Sequence, residues 1–412
     1  MAQHEQRQPH HTLIALAITV CLFSFVAVCV LAPSLLRPFR RRLTRPIYAL
    51  LARIPLPSGL QTPSDLAVAV RSFQGYADAQ QRVLDRKYLA FERMNRRHRT
   101  LGDQIGWRDT LARGEDQVHE VNAVVTDRLA QLGTELARRE GIPLGLRSRL
   151  WREDGRVVET LKHFVRDWSA EGKGERDALF PPILDGLRDE YGEAEGKKVL
   201  VPGCGLGRLA YEVASLGFST DANDFSHFMN LGSSLIFTRT SRPNQHTLSP
   251  YLHNFSHQRS ADNLLRTVAF PDVVPSKDVP LEFVAGDFLE LFKEEGKYDA
   301  VVSLFFIDTA SNLLNYFDTI FRALRPGAIW INEGPLLYYG NPGMELPLED
   351  VLRLVQLVGF TIEERRSLKS IRYTADDLGM YSFTYDCEFW VARKPLDAAA
   401  GGERGGAKAK TT

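Results

Sequence analysis

The chain has 412 residues, of which 44% are apolar, and its 51 basic and 51 acidic side chains cancel to a net charge of zero. A chain of this length buries a large core, in one large domain or in two or three small ones. The charge balance provides no global attraction to nucleic acid, so no nucleic-acid partner is predicted. Four cysteines are too few for a disulfide scaffold and favour a reducing compartment.

An apolar segment runs from Leu13 to Ala32 without a charged residue. A helix of this length matches a hydrocarbon core of about 30 Å. Five arginines follow between residues 37 and 45. A cleavable signal peptide has its basic residues before the apolar run instead. A helix buried in the protein core is the other alternative, and the adjacent arginine cluster disfavours it. We therefore predict an uncleaved single-pass membrane anchor, with the catalytic domain facing the cytosol. If the segment does not insert, the protein is expected to be cytoplasmic.

Changes in composition divide the chain into five regions. In chain order they are an N-terminal tail with the anchor and its basic flank (1–45), a Pro-rich linker (46–64), a helical region (65–157), an α/β domain (158–394) and a disordered tail rich in Ala, Gly and Lys (395–412). Apolar residues at helical spacing predict helices over 65–99 and 116–139 in the helical region.

The α/β domain alternates strands with helices, which predicts a mostly parallel sheet with helices on both faces. Seven strands are predicted, over residues 198–202, 218–223, 281–286, 298–305, 328–333, 360–366 and 384–392. The stretch from 243 to 280 is long for one connection and contains no clear strand, so we predict an insertion there.

A glycine-rich turn, Gly203-Cys204-Gly205-Leu206-Gly207, follows the first strand. Glycine is needed where a ligand approaches the backbone, because side chains would block it. The spacing is G-x-G-x-G, which differs from the G-x-G-x-x-G of a dinucleotide site. It is typical of S-adenosylmethionine-dependent methyltransferases. A tight turn without a ligand is the simpler alternative.

Polar side chains also follow the later strands, at the sheet edge where open α/β folds bind ligands. Asp224 comes 21 residues after the first of these glycines, a distance at which an acid can bind the ribose hydroxyls of adenosine. Alternatively, Asp224 or Ser226 caps the next helix. Asp287 and Phe288 offer a carboxylate and a ring to an adenine. Asp308 follows the fourth strand and is, equally, a candidate N-cap.

Seven ordered stretches carry a family likeness: Phe-Val-Arg-Asp-Trp-Ser (164–169), Val-Pro-Gly-x-Gly-Leu-Gly-Arg-Leu (201–209), Asn-Asp-Phe-Ser-x-Phe-Met (223–229), Ala-Gly-Asp-Phe (285–288), Phe-Phe-Ile-Asp-Thr-Ala (305–310), Trp-Ile-Asn with Gly-Pro-Leu-Leu-Tyr (330–332 and 334–338) and Tyr-Asp-Cys (385–387). They resemble the motifs of the eukaryotic carnosine N-methyltransferase family. The likeness covers about residues 158–394, including parts of the insertion.

The resemblance implies a class I, Rossmann-like methyltransferase fold, S-adenosylmethionine as methyl donor, and the imidazole of a small histidine-containing dipeptide as acceptor. By position in the family's motifs, the implied donor-site residues are His163, Arg166, Gly203, Gly205, Asp224, Asp287, Phe288 and Leu304. The guanidinium of Arg166 would bind the donor's carboxylate. Without the resemblance, Arg166 would be taken as an exposed helix charge. No metal site is predicted.

Asp308, Tyr339 and Tyr385 would form the acceptor site. In this scheme Asp308 accepts the N–H of one ring nitrogen, which leaves the other nitrogen free to attack the methyl group. The alternative for Tyr385 is a core aromatic. Two positions depart from the family's pattern: Tyr339 stands where the family has histidine, and His163 stands where it usually has glutamine. The first departure leaves the acceptor's identity open.

The leading hypothesis is an enzyme that methylates an imidazole nitrogen of carnosine, giving anserine, or of a related small compound. One alternative is an acceptor histidine in a peptide or protein. Another is a membrane-tethered binding protein that keeps the fold without turnover. A third is a nicotinamide-dependent dehydrogenase, which the glycine spacing disfavours. The predicted partners are the small imidazole dipeptide and the membrane, and a homodimer through the N-terminal helices is left open.

Overall fold

The computed structural model describes residues 64–144, 152–338, 340 and 342–396. The predictions for the N-terminal tail and membrane anchor, for most of the linker, for Tyr339 and for nearly all of the C-terminal tail lie outside these residues. Within the described ranges, no helix is both long enough and apolar enough to cross a membrane.

The N-terminal region consists of helices whose bounds differ from the predicted ones. They are α1 (Asp65–Gln74), α2 (Tyr76–Glu92), α3 (Arg96–Gln104), α4 (Trp107–Asp116) and α5 (Ala123–Glu140). The single helix predicted over 65–99 is broken at Gly75 and again at Asn95, whose side chain caps α3. A π-helical turn, Gln117–Asn122, joins α4 to α5, so the helical segment that contains the second predicted helix begins already at Trp107.

Helices and strands alternate in the rest of the chain. In order they are α6 (Asp154–Trp168), α7 (Lys173–Tyr191), β1 (Lys198–Pro202), α8 (Arg208–Ser215), β2 (Ser219–Asp224), α9 (His227–Arg239), β3 (His246–Leu248), α10 (Ala261–Leu265), β4 (Val268–Phe270), β5 (Leu281–Ala285), α11 (Phe288–Leu291), β6 (Tyr298–Leu304), α12 (Leu313–Ala323), β7 (Leu324–Gly334), α13 (Leu348–Val358), β8 (Thr361–Arg372) and β9 (Thr384–Arg393). All seven predicted strands are present, and β7 and β8 are longer than predicted.

Seven of the strands form one sheet in the order β5-β2-β1-β6-β7-β9-β8. β1 is parallel to β2 and β6, and the parallel pairing continues outward to β5 and β7. β9 is antiparallel to both β7 and β8. The sheet is therefore mixed, although mostly parallel as predicted. This order confirms the Rossmann-like fold, with its reversal of strand order between β1 and β6.

Helices cover both faces of this sheet. On one face α7 and α8 pack against buried strand residues such as Val201 and Ile331. On the other face α12 and α13 pack against Val301 and Trp330. The N-terminal helices pack against α6, α9 and the insertion in a further apolar cluster. The N-terminal helices and the α/β domain therefore belong to one compact unit.

The insertion contains regular structure that the sequence analysis missed. β3 and β4 pair in antiparallel fashion, and α10 lies between them in sequence. Strands of three residues are too short to show an alternating pattern, which explains the wrong prediction. Asp272 fastens this segment to the domain, because its Oδ1 accepts from Arg208 Nη1 at 2.6 Å and its Oδ2 from Arg176 Nη2 at 2.5 Å.

Glu333 lies near the carboxyl end of β7 and is fully buried. Neither carboxyl oxygen has a hydrogen-bond partner among the described residues, and the residues opposite it on the neighbouring strands are Leu304 and Phe389. Burial raises the pKa of Glu333 to about 9, although the charge of Arg366 lowers it somewhat. The neutral acid is therefore the form present in the folded protein at pH 7.

Replacing Asp272 with asparagine is expected to lower the free energy of unfolding by about 3 kcal/mol, because two largely buried guanidinium groups lose their shared carboxylate. Urea unfolding measures the change. Asp262→Asn is the matched control, because it removes an exposed pair with Arg113 and is expected to leave the unfolding transition where it is. Equal shifts in the two variants would contradict the role assigned to Asp272.

Replacing Glu333 with leucine is expected to raise the free energy of unfolding by about 1–3 kcal/mol at pH 7, because it removes an unpaired buried polar group. Between the ordinary value of 4.5 and about 9, the folded chain keeps a proton that the unfolded chain loses. The parent therefore becomes less stable as pH rises through this range, and the variant lacks that part of the slope. Thermal denaturation across the range measures it, and equal slopes would refute the assignment.

Candidate active site

A cavity of about 310 Å³ opens at the carboxyl ends of β1, β2 and β6, where the strand order reverses. Six of the predicted donor-site residues line this donor cavity, namely His163, Arg166, Gly203, Gly205, Asp224 and Leu304. They come from α6, the glycine-rich turn and the ends of two strands. Residues far apart in sequence thus meet where Rossmann-like folds bind ligands.

The glycine-rich turn brings its backbone to the cavity wall. Gly203, Gly205 and Gly207 have φ values of 66°, 56° and 81°, in the left-handed region that glycine tolerates best. A Cβ on Gly203 would lie 2.5 Å from the Phe306 ring. A larger residue would therefore both strain the backbone and collide with this ring. The turn is tight, which agrees with the alternative of a simple tight turn. Its backbone also lines the cavity, so the turn is placed to contact a ligand as well.

Asp224 fastens the glycine-rich turn to the end of β2. Its Oδ2 accepts from the Gly205 N–H at 2.9 Å and its Oδ1 from the Ser226 N–H at 2.8 Å. Burial raises the pKa of Asp224, and these two bonds lower it in part. Ser226, not Asp224, occupies the N-cap position of α9, without a side-chain capping bond. A carboxylate has about four acceptor sites, so Asp224 keeps capacity for a ligand.

Arg166 is a largely buried side chain of the cavity wall, with 11% exposure, and not an exposed helix charge. Its Nη1 lies 3.6 Å from Asp167 Oδ1 and its Nε 3.8 Å from Glu175 Oε2. Both distances exceed hydrogen-bond length. Its guanidinium also faces the ring of Tyr373 at 4.8 Å. Arg166 thus keeps N–H donors that a carboxylate can accept from.

His163 lies on the same wall and contains a polar atom without a partner. Its Nε2 is 3.4 Å from the Tyr373 hydroxyl, and its Nδ1 is 3.9 Å from Asp167 Oδ2. Nδ1 is buried and makes no hydrogen bond within the part of the chain that the structure describes. Because buried polar atoms normally have partners, this nitrogen is available to a ligand in the cavity.

Asp287 and Phe288 lie beside the donor cavity and do not line it. Asp287 is exposed and caps α11 by accepting from the Leu289 N–H at 2.8 Å. Phe288 is buried against Phe306 and Tyr316, with ring centroids 5.4 Å apart in both pairs. Tyr316 forms the cavity wall on this side. Donor contacts of Asp287 and Phe288 therefore stay predictions.

Phe305, directly after β6, has a φ of 52°. A positive φ at a residue with a Cβ costs about 1–3 kcal/mol, and such strain is concentrated at functional sites. Its N–H donates to the Glu333 carbonyl at 2.9 Å. A Cβ on Gly334 would come within 3.1 Å of the Phe305 nitrogen, so glycine permits this close approach. The Phe305 ring lines the donor cavity.

Asp308 lies in the 3₁₀ turn Ile307–Thr309 and is 6% exposed. Its Oδ2 accepts from the Leu337 N–H at 2.9 Å, and no side chain of the described ranges donates to it. Burial raises the pKa of Asp308 to about 6, against the lowering effect of the backbone hydrogen bonds. Asn312 caps the following helix, α12, which begins at Leu313. The N-cap alternative for Asp308 is therefore wrong.

Tyr385 is half-buried on β9 in a group of rings that we call the aromatic cluster, consisting of Phe305, Tyr373, Phe383 and Tyr385. Burial raises the pKa of Tyr385, and the charge of Asp308 raises it further, which indicates that the two side chains are close. The aromatic cluster therefore connects the donor cavity to Asp308. The predicted contact of Tyr339 with the acceptor lies outside the described residues.

The sequence analysis missed several residues of the donor cavity. Phe225 is 57% exposed at its edge, and its place directly after Asp224 was a usable signal. Tyr373 follows β8, far from the glycine-rich turn in sequence, so no motif or spacing pointed to it. Arg156 and Glu159 also line the cavity, two turns and one turn before His163 on α6, and only their position on this helix could have indicated them.

Comparisons with known proteins identify the family of the chain. The family described as carnosine N-methyltransferase matches residues 151–396. The chain is 41% identical to carnosine N-methyltransferase of Mus musculus over 252 residues, which cover 58% of this chain and 63% of that protein. It is 39% identical to carnosine N-methyltransferase unmet of Drosophila melanogaster, covering 58% of this chain and 55% of that protein. The matched region thus spans less than two thirds of these relatives.

Among solved structures, phosphoethanolamine N-methyltransferase 2 of Haemonchus contortus with S-adenosyl-L-methionine is 16% identical, with a TM-score of 0.37, covering 58% of this chain and 56% of that chain. So distant a likeness carries no argument about the site. The family match covers more than half of the chain, so the dehydrogenase alternative is wrong. The α/β domain has the class I methyltransferase fold, and the chain belongs to the carnosine N-methyltransferase family.

Proposed function

We propose that the protein transfers a methyl group from S-adenosylmethionine to an imidazole nitrogen of carnosine, giving anserine, or of a related small histidine-containing compound. The observation that carries this proposal is Asp308, a buried carboxyl group that lies beside the donor cavity and receives no side-chain hydrogen bond within the described chain. The curated relatives bear the name of this activity.

The donor cavity fits the methyl donor's polar groups. The guanidinium of Arg166 has N–H groups that can donate to the carboxylate of the methyl donor. The remaining acceptor sites of Asp224 can accept from the donor's ribose hydroxyls. The proposed donor site also includes four residues of the cavity wall, His163, Gly203, Gly205 and Leu304, and two residues beside the cavity, Asp287 and Phe288. When bound, S-adenosylmethionine supplies a methyl group on a sulfonium, and the C–S bonding pair stays with sulfur as the acceptor nitrogen forms the new N–C bond.

Asp308 prepares the acceptor in this proposal, with Tyr339 and Tyr385 as the other acceptor contacts. Its carboxylate accepts the N–H of one imidazole nitrogen, and the tautomer held in this way leaves a lone pair on the other nitrogen. The ring gains positive charge as the N–C bond forms, and the nearby carboxylate stabilises that charge.

Replacing Asp308 with asparagine is expected to lower kcat/KM for carnosine by at least about 100-fold, since the charge that orients and stabilises the ring is lost. Transfer of labelled methyl groups measures turnover, and calorimetry measures donor binding, which is expected to be retained. Asp318→Asn, on the exposed side of α12, is the matched control and is expected to keep full activity. Full activity in Asp308→Asn would refute this role.

The pH profile provides a second test of Asp308. Its pKa of about 6 means that the carboxylate is lost as pH falls below that value, and the acceptor ring protonates in the same range. The logarithm of kcat/KM is therefore expected to fall with a slope of about two at low pH in the parent and about one in Asp308→Asn. The same slope in both proteins would contradict the assignment.

Histidine in a peptide or protein is the second candidate acceptor, favoured by Tyr339 at the place of the family's histidine. Comparing carnosine with peptides that contain an internal histidine decides between the two acceptors. Donor binding without transfer to either acceptor would instead indicate the binding protein without turnover.

We also propose that residues 13–32 anchor the protein in a membrane, on the basis of their uncharged apolar sequence and the arginines that follow. The full chain is expected to stay in the membrane fraction after an alkaline carbonate wash, and a chain lacking residues 1–45 is expected to be released. Release of the full chain by the wash would contradict the anchor.

A further inference from the structure

A second cavity, of about 280 Å³, lies on the other side of Tyr373, which lines both cavities. Its walls come from the insertion, the segment between β8 and β9, and Lys162 of α6. We call it the tail cavity. The insertion and the long segment before β9 thus enclose a space next to the donor cavity, and nothing in the proposed donor site occupies that space.

Lys162 is an unpaired cation in the wall of the tail cavity. It lies one helical turn before Arg166 and is half-buried. In the described part of the chain, its ammonium has neither an ion pair nor a hydrogen-bond partner. Burial lowers the pKa of His253, in the same wall, to about 4, and the charge of Lys162 contributes to this effect. A half-buried ammonium without a partner favours an anion beside it.

The carboxylates around Lys162 do not supply that anion. Four of them line the tail cavity or the small pocket that adjoins it, and other donors bind each one: Tyr251 and Arg266 donate to Glu171, the backbone N–H groups of Thr374 and Ala375 to Glu175, Arg266 and the Leu378 N–H to Asp376, and Arg372 to Asp377. These contacts hold the acidic groups in place. Asp376 Oδ2 has no hydrogen-bond partner among the described residues, and none of the four carboxylates pairs with Lys162 there.

The aromatic cluster joins the tail cavity to Asp308. Tyr373 and Phe383 line the cavity, and both contact the Tyr385 ring, at centroid distances of 5.9 and 4.7 Å. Tyr385 in turn lies within the electrostatic reach of Asp308. The Tyr385 ring thus lies between Asp308 and the rings that line the tail cavity, and an acceptor whose imidazole lies against Asp308 would extend past this ring to place its remaining atoms there.

We propose that the tail cavity holds the part of the acceptor outside the imidazole and that Lys162 binds its free carboxylate. This inference rests on the proposed methyltransferase function and specifies its substrate class. The acceptor is a small compound in which the histidine keeps a free carboxylate. An internal histidine of a protein has an amide at that position, so it lacks the group that Lys162 binds with a charge-assisted hydrogen bond.

Lys162→Met removes the charge and keeps an unbranched side chain. For carnosine, KM is expected to rise by about 10- to 100-fold with little change in kcat, which is the size of a hydrogen bond to a charged group. For β-alanylhistamine, the same molecule without its carboxylate, the parent and the variant are expected to have equal KM values. Lys162→Arg is expected to restore most of the affinity for carnosine. Lys173→Met, on the exposed side of α7, is the matched control.

The proposal is overturned if Lys162→Met leaves KM for carnosine unchanged or raises KM equally for both acceptors. Equilibrium binding of carnosine in the presence of S-adenosylhomocysteine separates this result from failure of the proposed function. Binding by the parent that weakens in Lys162→Met, without methylation, would leave the carboxylate site standing and refute the activity. Absence of carnosine binding by the parent would refute the site as well.

Discussion

The reversal of strand order between β1 and β6 determines where the site lies in this protein. The chain builds the sheet outward from β1 to β2 and β5, then returns to the middle and builds it outward again through β6 and β7. The loops after β1 and β6 consequently leave the sheet on opposite sides and a cleft forms between them. The glycine-rich turn follows one strand, and Phe305 with its positive φ follows the other. Both are backbone adaptations that fit this cleft.

Helix α6 connects the two parts of the site. It presents His163 and Arg166 to the donor cavity and Lys162 to the tail cavity. The helix is held against the glycine-rich turn because Trp168 Nε1 donates to the Leu206 carbonyl at 3.0 Å. A fixed helix keeps the donor cavity and the tail cavity in one relative position, and methyl transfer depends on such positioning. The N-terminal helices contribute by packing behind α6.

Much of the fold followed from local sequence patterns, because buried strands and their turns have strong signals. The strands and the residues at their carboxyl ends, such as Asp224, were predictable from these patterns. His163 and Arg166 were implied only by the family resemblance, and they do meet Asp224 in one cavity. The short strands of the insertion were not predictable, since three residues show no periodicity. Nor were the places of Tyr373 and Lys162 in the cavity walls, which arise only when the segment after β8 folds over α6.

In the proposed reaction, Asp308 holds one imidazole tautomer of a small acceptor while the other nitrogen receives the methyl group. The most direct measurement is the NMR spectrum of carnosine after incubation with the protein and S-adenosylmethionine labelled with ¹³C in the methyl group. We expect one labelled N-methyl resonance, from a single ring isomer. A mixture of both ring isomers, or unlabelled carnosine despite bound donor, would contradict it.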